Sequence, residues 1–280
     1  MDKVKREADT LLYIIKERYF FTACMTVIVM ALSFCGLTCR KDDDIQAVKK
    51  YYESGRYEHA FVAFKNLAEH GNPEAQYWMA VMLDAGKGMQ TNHQEAAKWF
   101  QKSSEGGYKY AHGVLGCMYF IGSGVTQDYS RAFYFLRKGA EMSDPFAEGL
   151  LGLMYKQGRG VTQDYNIAVT WLAKSAKQGY APAQANMAFC FEKGLGVERD
   201  SAIAFSLYCK SAEQGDVIGQ LYLARAYRYG IGTVSNKQKA LEYYGKAAKQ
   251  NYVPAIEELK EYGGSDGLGC CPPDWGQTRK

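Results

Sequence analysis

From residue 57 onward, small and large apolar residues return to the same places every 36 residues. We number each copy from Tyr57, His93, Tyr129, Tyr165, Ser201 and Lys237 as position 0. Position 3 is then Ala60, Ala96, Ala132, Ala168, Ala204 and Ala240, and position 7 is Phe64, Phe100, Leu136, Leu172, Tyr208 and Tyr244. Position 11 is Ala68, Ser104, Ala140, Ala176, Ala212 and Ala248. Steps of four put these residues on one face of a helix, helix A. A second series follows. Position 18 is Ala75, Ala111, Ala147, Ala183, Gly219 and Ala255, and position 22 is Met79, Leu115, Leu151, Met187, Leu223 and Leu259. Position 26 is Leu83, Tyr119, Tyr155, Phe191 and Tyr227. This is helix B. Small residues let the two helices approach and large ones fill the gaps. One hairpin cannot bury its own apolar face, so the copies must stack on one another.

The polar positions punctuate this pattern. Position 14 is Gly71, Gly107, Ser143, Gly179, Gly215 and Asn251, where a left-handed cap ends helix A; Ser143 alone departs from Gly or Asn. Pro73, Pro145, Pro182 and Pro254 follow, at the place where helix B begins and a missing N–H is not needed. After helix B come GKGMQTN (86–92), GSGVTQD (122–128), GRGVTQD (158–164), GLGVERD (194–200) and GIGTVSN (230–236). Each ends in Asn92, Asp128, Asp164, Asp200 or Asn236, an N-cap for the next helix A. The two glycines stop helix B and reverse the chain, and Val125, Val161 and Val197 can pack back on the stack. A phosphate loop needs G-x-x-x-x-G-K-[ST], and a dinucleotide loop needs a third glycine after a strand. A calcium loop needs several oxygens at alternating positions. None of these patterns is present, so the loops read as turns.

The beginning of the chain is different. Residues 1–18 are highly charged, and 19–39 (YFFTACMTVIVMALSFCGLTC) carry no charge. About 20 apolar residues span a bilayer as a helix, so 19–39 predicts a transmembrane anchor or a lipoprotein-type signal. The run is longer than a secretory h-region and is preceded by 18 residues, which suits an uncleaved anchor. Cys35 and Cys39 at its exit are lipidation candidates, although Phe34 and Thr38 fit the lipobox only in part. Five basic residues precede the run (Lys3, Lys5, Arg6, Lys16, Arg18) and four follow it (Arg40, Lys41, Lys49, Lys50), a narrow bias toward an exported body. Residues 40–56 form a linker and a capping helix, with Ile45 to Tyr52 resembling a lone helix B.

Composition adds mainly exclusions. The net charge of +4 comes without a basic cluster in the body, so no nucleic-acid partner is expected. The four histidines, His59, His70, His93 and His112, fall at different positions with no spaced Cys, Asp or Glu partner, so neither a metal nor another cofactor is expected. No G-x-S-x-G is present. Cys117 and Cys190 stand where other copies carry apolar residues and are expected in the core. Cys209 shares position 8 with Lys65, Gln101 and Arg137 and is expected to face water. Cys270 and Cys271 lie in a Gly/Pro-rich tail, 263–280.

The A-x-W/F-[FYL]-x-K-[SA]-A/S-x-x-G segment, the L-G-x-M-Y of Leu115–Tyr119 and Leu151–Tyr155 and the G-x-G-V-x-x-D-Y loops resemble Sel-1-like repeats, relatives of the tetratricopeptide repeat. Six copies over 57–262 carry the resemblance: 57–92, 93–128, 129–164, 165–200, 201–236 and 237–262. It implies an all-α, right-handed α/α superhelix of about six helical hairpins, here with an N-terminal membrane helix. It also implies a non-catalytic scaffold for protein partners, whose identity it leaves open. The concave surface is the default binding site, with helix A lining it. Lys102, Lys138, Lys174, Lys210 and Lys246, all at position 9, form a ladder that could receive an acidic partner. A solvated helix surface near the helix C-termini explains the same lysines. Some secreted members staple each hairpin with a cysteine pair; that pairing is missing here, so their disulfides and antibiotic-binding activity do not carry over. The chain is thus expected to be a membrane-tethered interaction scaffold. A cytoplasm-facing adaptor of the same fold is the alternative, and an exported hydrolase rests on family analogy alone.

Overall fold

A computed structural model describes residues 45–263. The segment 19–39 with Cys35 and Cys39, and Cys270 and Cys271, lie outside the described residues. The described chain is entirely helical: α1 (45–53), α2 (Tyr57–Glu69), α3 (Pro73–Ala85), α4 (His93–Glu105), α5 (Lys109–Ile121), α6 (Tyr129–Glu141), α7 (Pro145–Gln157), α8 (Tyr165–Lys177), α9 (Ala181–Lys193), α10 (Ser201–Glu213), α11 (Val217–Tyr229), α12 (Lys237–Lys249) and α13 (Val253–Gly263). Among the described residues no helix is long and apolar enough to cross a membrane.

Helices of this length are marginal in isolation, so the stack has to hold them. The alanines of position 3 are fully buried in all six copies, and the position 7 side chains Phe64, Phe100, Leu136, Leu172, Tyr208 and Tyr244 are at most 1% exposed. The loops behave as turns. Asp128 accepts hydrogen bonds from the Ser130 and Arg131 amides, Asp164 from Asn166 and Ile167, and Asp200 from Ile203. Gly122, Gly158 and Gly194 take the left-handed conformation that ends the preceding helix. The second glycine has a further role. A Cβ on Gly124 would lie 2.1 Å from the His93 carbonyl oxygen, so the loop passes directly over the start of the previous even-numbered helix. Ser143 adopts φ +57° at the cap where four other copies use glycine.

Two findings depart from the sequence pattern. Cys117, expected in the core, is only half-buried, and so is Cys209, expected outside; Cys190 is fully buried. The reason is that position 24, which carries Cys117, faces out of the odd-numbered layer. Position 8, which carries Cys209, leans instead on the cluster around Leu223 and Tyr208. The second finding is a buried polar column at position 19: Gln76, His112, Glu148, Gln184 and Gln220 are 3% to 8% exposed. Gln76, Gln184 and Gln220 donate to the carbonyls of Ala68, Ala176 and Ala212, tying helix to helix within a hairpin. Gln178, Gln214 and Gln250 then donate to Glu148, Gln184 and Gln220 of the preceding copy, tying copy to copy. His112 meets Ser104 Oγ at 2.5 Å.

Packing also decides the curvature. Each odd-numbered helix packs more extensively on the even-numbered helix that follows it than on the one before. Odd-numbered helices also touch one another across copies, α5 on α7, α7 on α9 and α9 on α11, and no pair of even-numbered helices packs to that extent. The more closely spaced layer of a bent stack is its inner one. The odd-numbered helices therefore form the inner, concave layer.

Candidate functional site

The inner layer carries two outward columns, positions 21 and 24. Toward the N-terminus they are apolar and half-exposed: Trp78, Val81, Val114, Cys117, Leu150 and Leu153. Toward the C-terminus they become Asn186, Phe189, Tyr222, Arg225 and Glu258. There the surface sinks into a groove of about 470 Å³ on α9, α11 and α13. A hollow of about 230 Å³ adjoins it toward α7, and the two share Phe189, Tyr222 and Arg225.

The groove is built from fixed aromatic and charged groups. Phe189 meets Tyr222 edge to face with centroids 5.7 Å apart, and Tyr222 stacks on the buried Tyr208 at 5.4 Å. The Tyr208 hydroxyl donates to Glu192 at 2.9 Å, and Lys193 pairs with the same carboxylate at 2.6 Å. Burial and the Glu192 carboxylate together push the Tyr208 hydroxyl above its ordinary pKa, so it stays a donor. Arg225 grips Glu258 with two nitrogens, and the Tyr244 hydroxyl donates to that carboxylate at 2.7 Å. Burial alone would raise the Glu258 pKa. The hydrogen bonds from Arg225 and Tyr244 outweigh it and hold the group below its ordinary value. Arg228 pairs with Glu261 at 3.0 Å. The side chains of the groove thus hold one another in place. Among the described residues there is no His, Cys, Asp and Glu cluster able to hold a metal.

The position 9 lysines lie elsewhere. Lys102, Lys138, Lys174, Lys210 and Lys246 are exposed, and all sit on even-numbered helices, the outer layer. The expectation that helix A lines the concave surface is thereby corrected, because helix A of the sequence numbering is the even-numbered helix. Four of the ladder ammonium groups rest on aromatic rings of their own helices: Lys102 on Trp99 at 3.9 Å, Lys138 on Tyr134 at 4.6 Å, Lys174 on Trp171 at 4.2 Å and Lys246 on Tyr243 at 4.4 Å. At Lys210 the residue three before is Leu207. Sequence reasoning missed the groove residues because they occupy the columns that change most from copy to copy. Their signal was the change itself, from apolar Val81 and Leu153 to Phe189 and Arg225 in one column.

Comparisons with known proteins agree with this architecture. The Sel1 repeat family model matches residues 73–108, 110–144, 145–180, 181–216 and 217–252. Its units begin on odd-numbered helices, so the period is shared with the sequence numbering and the phase differs. A Sel1 repeat protein from Oxalobacter formigenes is 28% identical, with a TM-score of 0.69 over 85% of this chain and 92% of that one. The antigen c5321 of uropathogenic Escherichia coli, a protective antigen displaying an SLR fold, is 31% identical with a TM-score of 0.61; the match covers 81% of this chain and 50% of that one. The immunity protein Pa5087 from Pseudomonas aeruginosa shares the fold at 19% identity, with a TM-score of 0.51 over 78% and 88% of the two chains. No curated protein matches the chain. Five successive family units lie on the helix pairs that pack most closely: the chain belongs to the Sel1 repeat family.

Proposed function

We propose that this protein is a membrane-tethered scaffold that holds a protein partner in the inner groove of its repeat stack and performs no catalysis. Sel1 repeat scaffolds typically mediate protein–protein interaction, which agrees with this reading. The observation that carries it is the open groove on α9, α11 and α13, where aromatic rings and paired charges are already fixed in place. Pre-formed side chains lose little entropy on binding. The tether is residues 19–39, uncharged and long enough to span a bilayer. The basic residues on its two sides favour an exported body.

A photo-crosslinking residue at Tyr222 tests the binding surface in intact cells. A discrete protein adduct is expected there, and none from Lys138 on the outer layer. Adducts from Lys138 alone would transfer the role to the lysine ladder. Mass measurement of the mature N-terminus tests the tether. An intact Met1 means an anchor, and a lipidated Cys35 or Cys39 means a processed lipoprotein. Protease access to the repeats from outside the cell separates an exported body from a cytoplasm-facing adaptor.

A further inference from the structure

Among the described residues, the charged groups that line the groove and its adjoining hollow are paired with one exception. Arg225 faces Glu258, Arg228 faces Glu261 and Lys193 faces Glu192. Lys156, at the C-terminal end of α7, reaches across to α9 and finds an amide: its Nζ donates to Asn186 Oδ1 at 2.5 Å. Asn186 cannot turn away, since its Nδ2 donates to the Pro182 carbonyl at 2.8 Å. Asn186 occupies position 21, where Glu258 stands two copies later and neutralises Arg225. Among the described residues no carboxylate pairs with Lys156. Its ammonium sits 5.0 Å from the centre of the Phe189 ring and borders the 230 Å³ hollow, with Leu221, Tyr222 and Tyr252 opposite. Burial lowers its pKa, the sign of a cation short of compensation. A half-buried charge held by one neutral amide is only partly compensated, and a charge-assisted hydrogen bond in a partly apolar hollow is strong. The protein has fixed a cation, oriented its neighbour and left room beside both.

We propose that the hollow between α7, α9 and α11 binds a carboxylate carried by a peptide segment of the protein partner, with Lys156 as the anchoring cation and Tyr222 and Tyr252 flanking the bound chain. This rests on the reading of the inner surface as the partner-binding groove and specifies its chemistry.

The test uses the full chain in detergent and a display library of random dodecapeptides. Selected peptides are resynthesised with each Asp or Glu changed to Asn or Gln, and with the C-terminal acid amidated. One such change is expected to weaken binding about tenfold or more, the scale of one hydrogen bond to a charged group. Lys156→Met should weaken the parent peptide equally and leave the amide version unaffected. Asn186→Asp places a carboxylate beside Lys156 from within and should expel the peptide while leaving the melting temperature equal or higher, so loss of binding cannot be assigned to misfolding. Peptides that depend on Tyr222 but carry no essential carboxylate overturn the carboxylate proposal and leave the groove reading intact. Peptides indifferent to both Tyr222→Ala and Lys156→Met, or no selected peptides at all, overturn both. Binding that emerges only after removal of residues 264–280 assigns the hollow to the chain's own tail and overturns the partner proposal.

Discussion

Asp144→Asn is expected to stabilise the fold at neutral pH and to flatten its pH dependence. Asp144 caps α7, accepting from the Phe146 amide at 3.2 Å, and is only 2% exposed. Its Oδ2 is buried with no hydrogen-bond partner among the described residues. Asp216, the equivalent residue two copies on, has one, because the Ser211 hydroxyl donates to its Oδ2 at 2.9 Å. In the copy of Asp144 that serine is Gly139. Burial is the main cause that pushes the Asp144 carboxyl up from 3.8 to about 6; the Phe146 and Ala147 amides and Lys109 offset it in part, and Glu148 adds to it.

The sign follows from proton linkage. Below pH 3.8 the group is protonated in both states and imposes no penalty. Between pH 3.8 and about 6 the unfolded chain releases its proton first, so stability falls as pH rises and levels off above that window. Two decades of pH correspond to a loss of roughly 3 kcal/mol. Asparagine is neutral throughout and already serves as the cap at Asn72, where it accepts from the Ala75 amide at 2.9 Å. Its amide nitrogen inherits the unpartnered place, which costs roughly 1–3 kcal/mol, so the gain at pH 7 is smaller than the full penalty. The diagnostic quantity is the stability difference between the two proteins at pH 7.5 minus that at pH 4, expected to be about 2.5 kcal/mol because the unfolded carboxyl is already partly ionised at pH 4. Thermal unfolding followed by circular dichroism at both pH values measures it. Parallel pH profiles for the two proteins would refute the reasoning.

Asp128→Ala should cost about 1 kcal/mol by removing the cap on the Ser130 and Arg131 amides, and should leave peptide binding at the inner groove unchanged. Binding lost at full stability would instead make the loop a site. Gly124→Ala should cost clearly more than Gly122→Ala in the same melting assay. Both residues have positive φ, worth about 1–2 kcal/mol for an alanine, but only the Cβ at 124 runs into backbone, 2.1 Å from the His93 oxygen against 3.3 Å from Gln127 Cβ for 122. Equal losses would contradict the close-approach account. Ser143→Gly should raise stability by about 0.5–1 kcal/mol, because φ +57° is strained for serine and free for glycine; a lower melting temperature would show that the serine side chain holds something in place.

The sequence was most legible where the cause is local and repeated. Asp128 and Asp164 cap helices through their own next residues, and Gly122 and Gly158 end helices through their own φ; no distant neighbour can alter either. The alanines of position 3 and the large residues of position 7 were visible because six copies display the same step of four. The position 19 column was equally present as Gln76, His112, Glu148, Gln184 and Gln220, but polar residues beside a helix start read as solvated until their acceptors are seen.

The sequence by itself determined the 36-residue step, the helical hairpins, their caps and the faces that must be buried. The tertiary structure alone decided what each face is buried against. Periodicity locates an apolar stripe but carries no sign of curvature, which depends on the spacing of two layers that the period treats alike. That spacing placed Lys102 and its equivalents outside and half-exposed Cys117 within the inner layer. It also brought Lys156, Asn186 and Phe189, from two different copies, around one hollow. It left Asp144 buried over Gly113, where burial moves its carboxyl up to about 6.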